Sequence, residues 1–261
     1  MFDKMIEYVD THAHLYDEAF DGDFDSTIER IKESGVVKCI FPAIDSTSFS
    51  RQISAGERCG DFVAQAMGLH PTSVGANWRD ELDFALDSIG KTKCVAVGEI
   101  GIDGYWSKEF IQEQKEVFRV QLEEAYNRSL PVIIHAREAT EEIFQVLDSL
   151  GKKVPQGVFH AFSGSYETYE RIAKYGNFMV GIGGVVTYKN AGVAKSVERI
   201  PLERIVLETD SPYLTPVPFR GKRNESSYLV HIAEKIAQIK GISLEEVASA
   251  TTHNAFEMFG L

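Results

Sequence analysis

The sequence is short of cysteine, of basic residues and of long apolar runs, and each shortage excludes something. Its three cysteines, Cys39, Cys59 and Cys94, form no Cys-x-x-Cys pair and cannot make a complete disulfide set, which fits a reducing compartment. Lys and Arg number 27 against 39 Asp and Glu, a net charge of −12. That balance argues against a protein that coats duplex DNA through a broad basic face, because such binding comes from cations neutralising phosphates. It leaves room for a small basic spot, and for metal ions, which bring their own charge. No apolar run approaches the ~18–20 residues that span a bilayer; Met179–Val186, among the longest, stops at eight. The segment Met1–Asp10 alternates charged and apolar residues and has no apolar signal core. These absences predict a soluble cytoplasmic protein with no membrane partner, and a monomer is compatible with them.

What is present reads as an ordinary globular chain: 261 residues, 44% hydrophobic and 25% charged. Short β-rich runs alternate with longer stretches of helical period. Strands are expected at Ile6–Val9, Val36–Ile40, Phe62–Ala66, Cys94–Gly98, Val132–His135, Val158–His160, Phe178–Gly181 and Arg204–Leu207. Several are nearly continuous in Val, Ile, Phe and Ala, as in strands buried on both faces of a parallel sheet. Helical period is clearest over Glu109–Arg128 and also fits Phe24–Glu33, Trp78–Ile89, Ala139–Leu150, Tyr166–Lys174, Val193–Glu198 and Ser227–Ile239. A last helix, Ser243–Phe259, opens with a Ser-Leu-Glu-Glu capping box and is expected to pack on the outside of the fold. Eight βα alternations over this length predict a single α/β domain spanning residues 1–261, a TIM (β/α)8 barrel. A doubly wound open sheet is the alternative, but it would usually carry a Gly-rich turn after its first strand. Here that strand runs into Asp10-Thr11-His12-Ala13-His14.

Four of the seven histidines fall at expected strand ends: His12 and His14 after the first, His135 on the fifth and His160 on the sixth. In barrel enzymes the C-terminal strand ends carry the chemistry. Side chains two apart on a strand point to one face, so His12 and His14 can reach one ion. Glu99 follows the fourth strand and Asp210 the eighth. A carboxylate beside an apolar core is costly unless it is paired or bound to a cation. Nitrogen and oxygen donors without thiolate suit Zn, Mn, Ni or Fe, and less specifically Mg. Six donors exceed the needs of one tetrahedral ion and suit two. The expected arrangement is His12, His14 and Asp210 on one divalent cation, His135 and His160 on the other, and Glu99 between them. Asp210 would also act as general base, so Asp210 and Glu99 are the expected catalytic groups.

The series Asp10-Thr11-His12-Ala13-His14, Gly68-Leu69-His70-Pro71, Gly98-Glu99-Ile100-Gly101-Ile102-Asp103, Ile134-His135-Ala136-Arg137, Phe159-His160-Ala161-Phe162-Ser163-Gly164 and Leu207-Glu208-Thr209-Asp210-Ser211-Pro212-Tyr213-Leu214 resembles the ordered motifs of TatD-family metal-dependent hydrolases. The resemblance covers essentially the whole chain. It implies a TIM barrel of the amidohydrolase-like superfamily, a divalent-metal centre (Mg, Mn, Zn or Ni), and deoxyribonuclease activity, often 3′-to-5′ exonucleolytic, on DNA ends or single strands. It implies the same six ligands, His12, His14, Glu99, His135, His160 and Asp210. Hydrolysis of another ester or an amide, such as an aminoacyl ester or a lactone, is the alternative on the same barrel, and a non-catalytic metal-binding scaffold is a third. The departures, Thr72 after Gly-Leu-His-Pro, Gly104 before Tyr105-Trp106, and Ser226 after Arg223-Asn224-Glu225, spare every ligand and touch positions that shape substrate contacts.

Around this set, Arg220 and Arg223, with Lys222, are expected to contact phosphate from the loop after the eighth strand, where barrels often hold one. Arg137 is a further phosphate contact. His70 is expected at the rim as a substrate contact, and Asp103 as the outer partner of a ligand histidine. Tyr105, Trp106, Phe162, Tyr188 and Tyr213 lie in loops near the rim, where they would either stack unpaired bases or simply pack.

Overall fold

The computed structural model describes residues 6–261, so Met1–Met5 of the charged–apolar N-terminal segment lie outside the described residues. Strands β1 (Tyr8–Asp10), β2 (Val36–Pro42), β3 (Val63–Met67), β4 (Cys94–Asp103), β5 (Val132–Arg137), β6 (Gly157–Phe159), β7 (Phe178–Ile182) and β8 (Ile205–Leu207) form one sheet in sequence order. Every neighbouring pair is parallel. Between and after them run α1 (Phe24–Glu33), α2 (Ser46–Cys59), α3 (Trp78–Lys91), α4 (Ile111–Arg128), α5 (Thr140–Leu150), α6 (Tyr166–Ala173), α7 (Val193–Arg199), α8 (Leu229–Lys240) and α9 (Leu244–Phe259). The sheet closes where the chain leaves β1 and β8. The Thr11 backbone N–H and hydroxyl both donate to the Leu207 carbonyl, at 3.0 and 2.9 Å, and an isolated parallel bridge joins Ala13 to Ser211. The expected TIM barrel is the fold.

Alternation along the strands sorts the core into two layers. Tyr8, Cys39, Phe41, Val97, Ile134, Phe159, Val180 and Leu207 belong to the large cluster shared with the helices. Val9, Ile40, Ala66, Ala96, Ile133, Val158, Met179 and Val206 form a second cluster. One residue from each of the eight strands can meet the others only inside the barrel, so this is the filled interior expected of the fold.

Two expectations change. Helix α2 is absent from the helical periods read in the sequence. Its stretch is rich in Ser and Thr, and its start is fixed by Asp45, whose carboxylate accepts from the N–H groups of Thr47 and Ser48. Buried Gln52 then ties α2 to the carbonyls of Phe41 and Ala66, at 2.9 and 3.1 Å. The polar residue that weakens the apolar pattern is the one that attaches the helix to the barrel. Helix α9 keeps its capping box, with Ser243 and Glu246 exchanging hydrogen bonds, but it does not merely coat the outer wall. Its Ala255, Met258 and Phe259 join the interior cluster, so α9 seals the end of the barrel where the strands begin.

Candidate metal centre

The site begins one period-two step beyond the apolar interior. On β5 the inward Ile133 is followed by His135, after β6 Val158 is followed by His160, and beyond β8 Val206 is followed by Glu208. Strand side chains alternate, so each of these points into the mouth. On β4 the register against β5 shifts between Val97 and Ile100. That irregularity re-aims Glu99, three rather than two residues after Ala96, toward the same mouth. Gly98 is required there, because a Cβ would lie 2.7 Å from that of Ile133.

Glu99 is the hub. Its Oε2 lies 3.1 Å from His12 Nε2 and 3.8 Å from His14 Nε2, and its Oε1 lies 2.8, 3.2 and 3.3 Å from His135 Nδ1, His160 Nε2 and His70 Nε2. His12 Nε2 and His14 Nε2 are 3.1 Å apart, and Asp210 Oδ1 stands 3.7 and 3.6 Å from them. Among the described residues, three triplets have donor atoms mutually within reach of one ion: His12, His14 and Glu99; His12, His160 and Glu208; and His70, Glu99 and His135. The six residues expected as ligands are thus brought together around one carboxylate.

Outer contacts aim these rings. The Tyr16 hydroxyl donates to the Pro42 carbonyl at 2.6 Å, which leaves its oxygen to accept from His14 Nδ1–H at 2.9 Å. His14 Nε2 is therefore the bare nitrogen in the mouth. Asp103 stands where an outer partner is expected: its Oδ2 meets His135 Nε2 at 2.8 Å, and its backbone is tied to α4 through Gln114. Glu208 is a participant that the sequence pattern does not single out. It sits 3.4 Å from His160 Nδ1 and accepts the Ala161 N–H at 2.6 Å. Gly181 makes its space, since a Cβ there would come within 2.0 Å of Glu208 Oε2. The signal for Glu208 is its two-residue spacing from Asp210; Tyr16, in the turn after β1, has its partner Pro42 on β2 and leaves no such signal. Asp210 takes a left-handed backbone, φ +56°, unusual for a residue with a side chain. It is held there by its N–H on the His12 carbonyl at 2.9 Å and by Asn224, whose amide donates to the Thr209 and Tyr213 carbonyls.

The electrostatics of the mouth favour a cation. Glu99, Asp103 and Glu208 are buried, Asp210 is nearly so, and among the described residues the ion-pair partners of all four are histidines, never Lys or Arg. Burial pushes the imidazoles of His12 and His70 below the usual histidine range, which leaves ring lone pairs free. Burial also opposes charge on Glu99 and Asp210, yet the surrounding histidines outweigh it and hold both carboxyls below their usual range. Among the described residues, three of the four buried side-chain atoms without a hydrogen-bond partner, His12 Nδ1, His160 Nδ1 and Glu208 Oε2, belong to this site. Against burial, Asp103 and Glu99 hold the His135 imidazole above the usual histidine range, and Glu99 and Glu208 hold that of His160 well above it. Buried carboxylates and imidazoles that share their charge in this way form a nitrogen and oxygen donor set that fits divalent ions.

The mouth opens into a cavity of about 600 Å³ whose wall includes His14, His70, Glu99, Asp103, Trp106, Arg137, His160, Asp210 and Tyr213. His70 is therefore at the rim. Its Nδ1 accepts from the Thr72 backbone N–H at 3.1 Å, so its Nε2 faces Glu99. Arg137 is also at the rim. Arg220 and Arg223 are not. The Arg220 guanidinium lies 4.1 Å over the Tyr188 ring, away from the cavity wall. Arg223 grips both carboxylate oxygens of Asp23 at 2.6 and 2.8 Å and the Ala19 carbonyl at 2.7 Å, and covers the Phe20 ring. With Arg30 bridging Asp23 and Glu225, the Arg-Asn-Glu segment braces the β8 loop rather than offering a free guanidinium. Phe162 is buried, whereas Tyr105, Trp106 and Tyr213 are exposed.

Comparison with known proteins gives the family. A family model described as TatD related DNase matches residues 9–260. A protein of Bacillus subtilis (strain 168) named "Uncharacterized metal-dependent hydrolase YabD" is 41% identical over 251 residues, 96% of this chain and 98% of that one. The "3'-5' ssDNA/RNA exonuclease TatD" of Pantoea ananatis is 32% identical over 259 residues, 97% and 99% of the two chains. Among solved structures, YJJV, a TatD homolog from Escherichia coli K12, superposes with TM-score 0.87 at 29% identity, covering 99% of this chain and 100% of that one. The chain belongs to the TatD related DNase family.

Proposed function

We propose that the protein is a divalent-metal-dependent hydrolase that cleaves phosphodiester bonds at the ends of single-stranded DNA, in the 3′-to-5′ direction. The observation that carries this reading is the convergence of four strand-end histidines on Glu99, with Asp210 beside them and no Lys or Arg paired to any of these groups among the described residues. His12, His14 and Asp210 would hold one ion and His135 and His160 the other, with Glu99 between. Two such ions supply positive charge to a phosphodiester and lower the pKa of a bound water. Asp210, ionised and fixed in its strained turn, takes the proton from the attacking water at its carboxylate. Asp103, Glu208 and Tyr16 keep the imidazole rings in the orientation that donates lone pairs inward. His70 donates from Nε2 at the rim, and Arg137 faces the incoming phosphate. The relative from Pantoea named as an exonuclease supports the choice of bond.

The test is metal analysis of the purified protein followed by single-stranded DNA digestion with and without EDTA. The reading expects bound divalent metal and chelator-sensitive release of nucleotides. Absence of such cleavage with each of Mg, Mn and Zn overturns it in favour of another ester or an amide.

A further inference from the structure

Beside the metal-binding mouth, the turn after β4 carries two aromatic rings and faces one guanidinium. Asp103 Oδ1 accepts from the N–H groups of Tyr105 and Trp106 at 2.9 and 3.1 Å, while its other oxygen meets His135. The turn is therefore anchored to the carboxylate that aims a candidate metal ligand. Gly104 lets it sit close to the end of β5, since a Cβ would fall 2.6 Å from the Glu138 carbonyl oxygen. In this position Trp106 is 71% exposed and still lines the cavity. Arg137 lies with its guanidinium carbon 3.7 Å from the Tyr105 ring centroid and 5.5 Å from that of Trp106. Among the described residues it is the one Arg or Lys in the cavity wall. Among the described residues its side chain makes no hydrogen bond or ion pair, so a guanidinium held over an aromatic ring keeps its N–H donors unused.

An arginine fork suits a phosphate, and an exposed indole face suits an unpaired base. We propose that Tyr105, Trp106 and Arg137 form a nucleotide subsite: Arg137 holds the phosphate, oriented by Tyr105, and Trp106 stacks on the unpaired base of the nucleotide beside the scissile bond. This rests on the phosphodiesterase reading and sharpens it, because a base stacked inside a duplex cannot present its face to Trp106. The preference it creates is for unpaired termini of any sequence, since every base offers a π face.

Trp78 and Trp106 are the two tryptophans of the chain, so the Trp78→Phe variant reports on Trp106 alone. In excess Mg2+, dAMP is expected to quench its fluorescence saturably, deoxyribose 5-phosphate to leave it unchanged, and Arg137→Ala to weaken the dAMP effect at least tenfold. In digestion, wild type is expected to favour an oligonucleotide with an intact terminal base over one with an abasic terminus by about 5- to 150-fold in kcat/KM, the range of one base–aromatic stack. Trp106→Ala should erase that preference and Trp106→Phe should retain most of it. No quench by dAMP, equal quench by the base-free sugar phosphate, or an undiminished preference in Trp106→Ala overturns the subsite. Base-dependent quenching without DNA cleavage under any metal would instead overturn the phosphodiesterase reading while leaving the subsite standing.

Discussion

The two ends of the barrel are made from the same eight strands and differ by one inward position on each of several. At the end where the strands begin, the inward residues are Val9, Ile40, Ala66, Ala96, Ile133, Val158, Met179 and Val206, closed over by α9. At the other end the inward residues are His135, His160, Glu99 and Glu208, with His12, His14 and Asp210 arriving from the loops that close the sheet. The first end lowers free energy by removing apolar surface from water, about 25 cal/mol per Å². The second raises it, because carboxylates and imidazoles are held close together in a buried place until something positive joins them. Stability and chemistry are thus separated along the strand axis, and each can be disturbed without the other.

The sharpest way to break that separation is Asp210→Asn. It should lower kcat by about 10²–10⁴-fold, the usual contribution of a positioned base, with most bound metal retained and the thermal midpoint nearly unchanged. Near-normal turnover would remove Asp210 from the mechanism. At the opposite end, Phe259→Ala should cost about 3–5 kcal/mol of stability in denaturant unfolding, while kcat/KM per folded molecule stays within about twofold. A large loss of kcat/KM would mean that α9 couples to the mouth. Between these, Tyr16→Phe removes the hydroxyl that fixes the His14 ring. Metal affinity measured by calorimetry should fall about 10-fold, at the low end of such outer contacts. The smallest effect belongs to Arg223→Ala: at most about 1 kcal/mol of stability for a partly exposed pair, and an unchanged salt slope for DNA cleavage. A flattened slope would return Arg223 to the substrate path.

What could be read from the chain follows the range of each interaction. The barrel and the convergent histidines and carboxylates were legible because strand period and strand ends are local patterns, and eight of them agree. Glu208 was visible as a residue but not as a participant, since its role depends on space left by Gly181 on the neighbouring strand. Arg223 looked free because its partner Asp23 lies 200 positions away. Helix α2 was hidden by its own polar attachments, and α9 by the fact that an amphipathic stripe does not say which surface it meets. Gly104 looked like a small departure, and its effect, placing two aromatic rings beside Arg137, exists only in three dimensions.

A divalent-metal site in the mouth, organised by Glu99, is open to direct measurement. Calorimetric titration of Mn2+ into chelator-stripped protein, alongside Glu99→Gln, tests it most directly. Two ions per chain are expected for wild type, with an unfolding midpoint that rises as they bind, and loss of both events in Glu99→Gln. Metal binding of the same stoichiometry and affinity in Glu99→Gln, or none in the wild type, would contradict it.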